Sequence, residues 1–466
     1  MILLSNWVSF YSPLSPWSGM GITTDQAVFM TIADGILHGK HAYVDYFDHK
    51  GLFLYFILAA GLVFGKSLIG CFLIEWMVIL VSVVFMYQMV RFFARREFAI
   101  IATAFVFACD PSFFTVSNGE EYIFPLLCIS MYLFLLQLKD KAELKYSFMI
   151  GACAVLAFFI KYNYVLIWAA FGLVLFFGST GGEEKKKVFA GYFLGLAAAA
   201  SIFVIYLIKT DSMSAFIDTY VLYSLHYAQY SSFPDKFGAM AELIKCPIFI
   251  YMAAFVAMVF VLTIKRTSDT RLMWIWILMS AVTVITTGAP GQKWIYYRQM
   301  TMLIYVVPVA LISQFLFDSL KKKRWLGGVL CATALLTIFA AGFMPEHFVI
   351  REDARKVSTD RITELIADNC DENDTMISFS NDCSMYFYSG MTPASRIIYP
   401  SAAIVDEKLS DELIYDIKNK RPKIITLQKD WKMGLEESFI KEVKGLLKAD
   451  YERAYKDEYR TVYIVL

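Results

Sequence analysis

Thr23–Tyr55, TTDQAVFMTIADGILHGKHAYVDYFDHKGLFLY, is the stretch on which the reading of this chain turns. It carries an early carboxylate, Asp25, and then a compact polar cluster, Asp45, Asp48, His49 and Lys50. Thr23 and Gln26 stand at capping-box spacing, so a helix is predicted to start here. Val28, Phe29, Ile32, Ile36 and Leu37 fall on one face at helical spacing, and Gly39 is a natural stop. An aromatic-rich turn follows, then the apolar run Leu52–Gly65. That run is short of the roughly 20 residues a membrane span needs, so it reads as a helix lying in the interface or dipping part-way in.

Working outward, the chain is 466 residues long, 58% hydrophobic and 17% aromatic, with mean hydropathy +0.53. Soluble domains run at about 45–50% apolar residues; the excess marks a polytopic α-helical membrane protein. A net charge of +1 gives no electrostatic case for a nucleic-acid partner. Cys71, Cys109, Cys128, Cys153, Cys246 and Cys331 lie in apolar runs and read as packed small side chains. Cys370 and Cys383 lie in a polar tail and can pair only if that tail is outside the cytoplasm and their geometry allows it. No CxxC pattern points to zinc.

The opening segment, MILLSNWVSFYSPLSPW, lacks the features of a signal peptide. It reads as the last half of a first membrane helix, with the start either short or misassigned. Further spans are predicted near 68–90, 97–116, 122–138, 146–160, 163–178, 188–208, 240–264, 272–287, 295–317 and 326–343, about eleven in all with the truncated first. Every second connection is basic: Arg91, Arg95 and Arg96; Lys139, Lys141 and Lys145; Lys185–Lys187; Lys265, Arg266 and Arg271; Lys321–Arg324. Those connections are expected to be cytoplasmic. The first loop (about 12–67), the second (about 110–122), the turn at Lys161–Asn163, the loop 209–239, the loop TGAPGQKWIYYRQ and the tail then share the opposite, extracytoplasmic side. The division is a transmembrane domain, 1–344, and a tail, 345–466. In the tail DRITELIADN and ESFIKEVKGLLK read as helices and TMISFS, KIITLQ and TVYIVL as strands, which makes a small α/β domain.

Several polar groups are candidates for chemistry. Asp25, at an outer membrane surface, is suited to take a proton from an attacking hydroxyl, although a carboxylate also suits the first turn of any helix. Glu120 and Glu121 sit in the next outer loop, directly before a span. Asp45, Asp48 and His49 are groups that can ligate a metal, but their spacing is not diagnostic and Lys50 beside them weakens that reading. Lys50 reads better as a contact to an anionic headgroup, which is compatible with a lysine snorkelling to the interface. Lys161 and Asn163 interrupt apolar sequence at an outer turn. Tyr297 and Arg298, with Lys293 and Tyr296, open an outer-facing helix. Tyr220, Tyr223, His226, Tyr227 and Tyr230 recur at near-helical spacing and could hold a sugar or lie on lipid headgroups.

These motifs resemble those of the GT-C superfamily of membrane glycosyltransferases, in the bacterial branch related to protein O-mannosyltransferases and the lipid A aminoarabinose transferase. The first-loop AYVDYFDHKG is similar to the family's first-loop pattern, with Leu52–Phe53 standing where members have a proline. SNGEEYIFP, Ser117–Pro125, resembles the second-loop acidic motif, and FFIKYNYVLI resembles a "LKQN" turn. The likeness covers about 1–320 in order and topology; many members also carry a small outer C-terminal domain. It implies a GT-C fold and transfer of a sugar from a polyprenyl-phosphate donor to a glycan, lipid or protein acceptor at the outer face of the cytoplasmic membrane, a step in cell-envelope glycan biosynthesis. It further implies Asp25 as general base, with inversion, and Glu121 or Glu120 orienting the acceptor or a charged donor group. Lys50, with His49 beside it, would meet the donor phosphate, and Arg298 would stand near it, at a helix start where the usual His-Tyr pair is not clearly present. Lys161, Asn163 and Tyr297 would line the substrate. No cofactor is expected and a divalent metal is not favoured. The alternative class is a lipid or glycan transporter or flippase, against which stand the outer-loop placement of the carboxylates, the lack of an inverted repeat and apolar runs without charged interruptions. A scaffold without activity is the third reading.

Overall fold

In the computed structural model, residues 1–466 are described except 19–20, 110–117, 140–142, 180, 230, 245–269, 320–353, 402–406 and 433. The spans expected near 240–264 and 326–343, with Cys246 and Cys331, lie almost wholly outside the described residues. The chain groups into two compact units: Met1–Ser15, Leu73–Ile205 and Ala228–Val349 in the first, and Pro16–Phe72, Tyr206–Tyr227 and Ile350–Leu466 in the second.

The first unit is helical. Five described helices are long and apolar enough to cross a membrane: Ile69–Val90, Gly119–Lys139, Gly182–Lys209, Arg271–Gly288 and Arg298–Phe315. Leu144–Phe158 and Tyr162–Gly178 are shorter and also apolar. Phe189, Phe193, Leu194 and Ile202 stand exposed along Gly182–Lys209, a face that fits hydrocarbon rather than water. The protein is a multi-pass membrane protein, as its composition led us to expect. The core is aromatic: Phe134 meets Phe171 at 4.8 Å, and the Trp168 indole donates to Ser130 at 2.8 Å, which gives a polar group in an apolar interior its partner. Glu75 corrects the reading that the apolar runs carry no charge: it lies within Ile69–Val90, fully buried, and accepts from the Ser12 hydroxyl.

A close helix pair in this unit has a simple cause. Gly191 and Gly195, in the GYFLG of Gly182–Lys209, lie against Leu144–Phe158. A Cβ built on Gly195 would come within 2.0 Å of the Phe148 carbonyl oxygen, and one on Gly151 within 2.1 Å of the Tyr192 carbonyl oxygen. The backbones approach this closely only because no side chain stands between them.

The second unit joins the first loop to the tail. Thr24–Leu37 ends before Gly39, which takes φ +81°; only a residue without a Cβ adopts this conformation freely. Leu52–Leu62 follows the polar turn and packs against Thr24–Leu37. In the tail a five-stranded sheet is built from β1 (Thr375–Phe379), β2 (Thr392–Pro393), β3 (Ile424–Gln428), β4 (Tyr451–Lys456) and β5 (Arg460–Val465), in the order β2-β1-β3-β5-β4. β1 runs parallel to both β2 and β3, with Met376 opposite Ile424, while β5 is antiparallel to β3 and β4. Ala354–Asn369 and Glu437–Asp450 are the two helices expected from the sequence.

First loop and tail are tied by named bonds. The Phe47 amide donates to the Arg396 carbonyl at 2.6 Å, Lys66 Nζ to the Phe387 carbonyl at 2.8 Å, and Thr31 Oγ1 to the Cys383 carbonyl at 3.4 Å. Cys370 and Cys383 are both free thiols, and Cys383 is fully buried.

Candidate active site

The Thr24–Leu37 helix is started by a complete capping box. The Gln26 amide donates to Thr23 Oγ1 at 3.3 Å, and the Thr23 amide to Gln26 Oε1 at 2.7 Å. Asp25 therefore sits in the first turn of a well-anchored helix, where the helix dipole favours a carboxylate. Four residues on, and so on the same face, is Phe29, whose ring lies 5.7 Å from Lys50 Nζ. Asp25 and Lys50 thus address one face of one helix. Lys50 Nζ is also 3.2 Å from His49 Nε2.

The turn that presents Lys50 is held by tyrosines. The Tyr43 and Tyr55 hydroxyls donate to the Lys50 carbonyl at 2.9 and 3.3 Å. Asp48 is 2% exposed and accepts from Tyr55 at 2.7 Å, from Tyr399 at 2.9 Å and from the His49 amide at 2.9 Å. Its oxygens are occupied by phenols, so Asp48 acts as a pillar joining loop to tail. Burial first, and then the adjoining Asp48 carboxyl, push the Tyr399 phenol well above its ordinary range, which keeps it a donor. Burial likewise raises Tyr43, helped by Tyr220 and Asp48. Asp45 accepts from the His41 amide at 2.6 Å and so closes the turn. Among the described residues no three His, Cys, Asp or Glu side chains are grouped to hold a metal.

The loop after residue 209 completes the support. Ile217–Leu222 is a π-helical turn, a form that recurs at functional sites. It places Tyr220 against Tyr43 at 6.4 Å, Phe216 just before it lies 5.5 Å from Tyr43, and the helix after it places Tyr223 against Phe47 and His49, at 4.9 and 5.6 Å. Tyr220 is fully buried. These two tyrosines are packing behind the polar turn rather than an open face for a sugar or for lipid headgroups; the side chains of Tyr227 and Tyr230 lie outside the described residues.

The other candidates belong to the first unit. Glu120 is 1% exposed, pairs with Lys161 Nζ at 2.6 Å and accepts from the Tyr164 hydroxyl at 3.0 Å. Lys161 also donates to the Tyr297 hydroxyl at 3.1 Å and lies 4.2 Å from the Tyr297 ring centre. Glu120, Lys161 and Tyr297 are therefore brought together. Glu121, beside Glu120 in the helix, is equally buried. Asn163 donates to the Thr286 carbonyl at 3.3 Å, and Arg298 pairs with Glu242 at 3.3 Å.

Sequence reasoning missed the tyrosines that hold Asp48 and Lys50. Tyr399 lies 351 residues from Asp48 and stands in no motif; nothing local marks it. The Gly191–Gly195 pair did carry a signal, a GxxxG in an apolar helix.

Comparisons with known proteins bear on the fold. Residues 48–208 match a family model described as dolichyl-phosphate-mannose-protein mannosyltransferase. ArnT from Cupriavidus metallidurans, solved bound to undecaprenyl phosphate, is similar over 99% of this chain and 96% of its own at 12% identity, with a TM-score of 0.63. Its apo structure gives 0.61 at the same identity and coverage. The archaeal oligosaccharyltransferase AglB from Archaeoglobus fulgidus, solved with an inhibitory peptide and a dolichol-phosphate, covers 92% of this chain and 69% of its own at 14% identity and 0.54. No curated protein matches.

Proposed function

We propose that this chain, which has the GT-C membrane fold shared with those structures, transfers a sugar from a polyprenyl-phosphate donor to an acceptor hydroxyl, with Asp25 as general base. The observation that carries this reading is the shared helix face: Asp25 and Phe29 are one turn apart, and Lys50 Nζ stands 5.7 Å from the Phe29 ring. On this reading a proton acceptor on the capped helix and a cation on the tyrosine-braced turn serve the same helix face. The likeness of the fold to ArnT, solved with undecaprenyl phosphate, supports a lipid phosphate as the donor's carrier.

In the step proposed, the acceptor oxygen attacks the anomeric carbon from the face opposite the phosphate. Asp25 removes the hydroxyl proton as the new C–O bond forms. The bond from the anomeric carbon to the phosphate oxygen breaks, its electron pair leaves on polyprenyl phosphate, and Lys50 compensates the charge. The sugar inverts at its anomeric centre. Polyprenyl phosphate is a competent leaving group, so positioning supplies much of the rate. No resident cofactor enters this step. We place the site and the tail on the extracytoplasmic side of the cytoplasmic membrane, from the alternation of basic connections.

The test is release of polyprenyl phosphate by the purified full chain in nanodiscs, offered a panel of polyprenyl-phosphate sugars, beside Asp25→Asn. Removal of a general base is expected to cost at least about 10²-fold in turnover while the variant remains folded. Near-normal turnover in Asp25→Asn would remove Asp25 from the mechanism. No release from any donor would shift the reading to a transporter or flippase.

A further inference from the structure

The step just described needs an acceptor site, and the tail contains a cleft whose position and chemistry fit one. β1 and β3 are adjacent and parallel, and the connections that leave them part in opposite directions. The chain leaving β1 turns to β2 on one side. The chain leaving β3 passes through Glu437–Asp450 to β4 and β5 on the other. Loops that diverge from the carboxyl ends of neighbouring parallel strands leave a crevice, and open α/β sheets hold ligands there. A cavity of about 300 Å³ occupies that place, at the lower end of the range of small-ligand sites. Ser380 and Asn381 line it from the loop after β1, and Gln428, Asp430 and Trp431 from the end of β3. Its remaining wall includes Thr24, the residue before Asp25. A second recess of about 250 Å³ shares Thr24, Arg355 and Asp382 with it.

The walls are fixed by bonds within the protein. Asp382 accepts from the Ser384 amide at 3.0 Å and from the Arg460 guanidinium at 2.7 Å. Ser380 donates to the Gln428 side-chain oxygen and so links the two loops. Trp431 packs on Phe379, ring centres 5.3 Å apart. Two groups in the lining are uncommitted. Asp430 is exposed and makes no hydrogen bond or ion pair among the described residues. Asn381 uses its Oδ1 on the Ser401 amide at 3.3 Å, which leaves its two Nδ2 protons for a ligand.

We propose that this cleft binds the sugar of a carbohydrate acceptor and presents one of its hydroxyls to Asp25. A carboxylate that accepts, an amide that donates and a tryptophan wall suit a ring with many hydroxyls and an apolar C–H face. A polypeptide would need a free strand edge or a hydrophobic groove; the strands that open into the cleft are β1 and β3, each paired on both sides. The role given to Asp25 rests on the transferase reading, whereas the sugar site does not.

The experiment titrates the purified full chain in nanodiscs with soluble disaccharides of glucose, galactose, mannose and N-acetylglucosamine. Undecaprenyl phosphate and a peptide panel are titrated in parallel. Wild type is compared with the double variant Asp430→Ala/Asn381→Ala, both changes on exposed loop positions. At least one disaccharide is expected to bind wild type, and to bind the variant about tenfold or more weakly, the scale of a lost charge-assisted hydrogen bond. Undecaprenyl phosphate binding is expected to be the same in both and reports that the variant is folded. Equal disaccharide binding by both proteins overturns the proposal; so does no disaccharide binding by wild type, or peptide binding that the double variant abolishes. If neither protein binds undecaprenyl phosphate, the transferase reading fails, and the sugar cleft is still decided by the disaccharide arm, with thermal unfolding as the check on folding.

Discussion

Lys161 and Glu120 are adjacent in no sense that the sequence displays, yet they form the driest ion pair described in this chain, 2.6 Å apart with side chains 12% and 1% exposed. Two neighbouring glutamates look alike in a motif; in the structure the Glu120 carboxyl accepts from Lys161 and Tyr164. A buried pair adds little net stability over an apolar isostere, but removing one partner strands the other charge. Lys161→Met or Glu120→Gln is therefore expected to cost about 3–5 kcal/mol each. The double variant should cost clearly less than the two singles added, since no charge is left alone. Thermal unfolding in detergent reads this. Additive losses would mean that the two residues do not depend on each other. Asp48 teaches the same lesson in the second unit. Its place in a polar cluster made it a candidate metal ligand; its partners, Tyr55 and Tyr399, show a joint whose far half lies outside any local window.

At the scale of elements, periodicity and capping signals worked where one segment determines its own structure. The capping box at Thr23 and the stop at Gly39 gave a helix observed at Thr24–Leu37. β1, β3 and β5 alternate or run apolar and were legible. β2 is only Thr392–Pro393 and β4, YERAYK, is a polar edge with mostly exposed residues; neither has a buried face to leave a pattern. Helix-to-helix contact was less legible, because what brings Leu144–Phe158 to Gly182–Lys209 is missing side-chain volume rather than a hydrophobic stripe. Gly195→Leu would drive its side chain into the Phe148 carbonyl, already 2.0 Å from a bare Cβ. The expected result is a loss of about 1–3 kcal/mol or more from overpacking, read as a lower unfolding temperature. Gly182→Leu, in the same helix with open space around it, is the control and should change little. Equal behaviour of the two variants would mean that the close approach does not hold the pair.

For the whole molecule, the strongest sequence inference is also the one that decides where both proposals operate. Basic connections alternate along the chain, and by that rule the first loop and the tail face away from the cytoplasm. First loop and tail sit in one compact unit, so a single accessible atom in the tail reports the side for Asp25, Lys50 and the cleft together. Cys370 is that atom. It is a free, part-exposed thiol at the end of Ala354–Asn369, whereas Cys71, Cys128, Cys153 and Cys383 are buried. Burial, then Asp374, raise its thiol above the ordinary range, so labelling is run at mildly alkaline pH, where the thiolate fraction is larger. A membrane-impermeant maleimide added to intact cells expressing the chain is expected to label the wild type, and Cys370→Ser is expected to lose that label. Labelling of Cys370 only after the membrane is opened would put the tail in the cytoplasm. The base and its sugar cleft would then work on the cytoplasmic leaflet, where donors and acceptors would have to be sought among cytoplasmic sugars instead of exported ones.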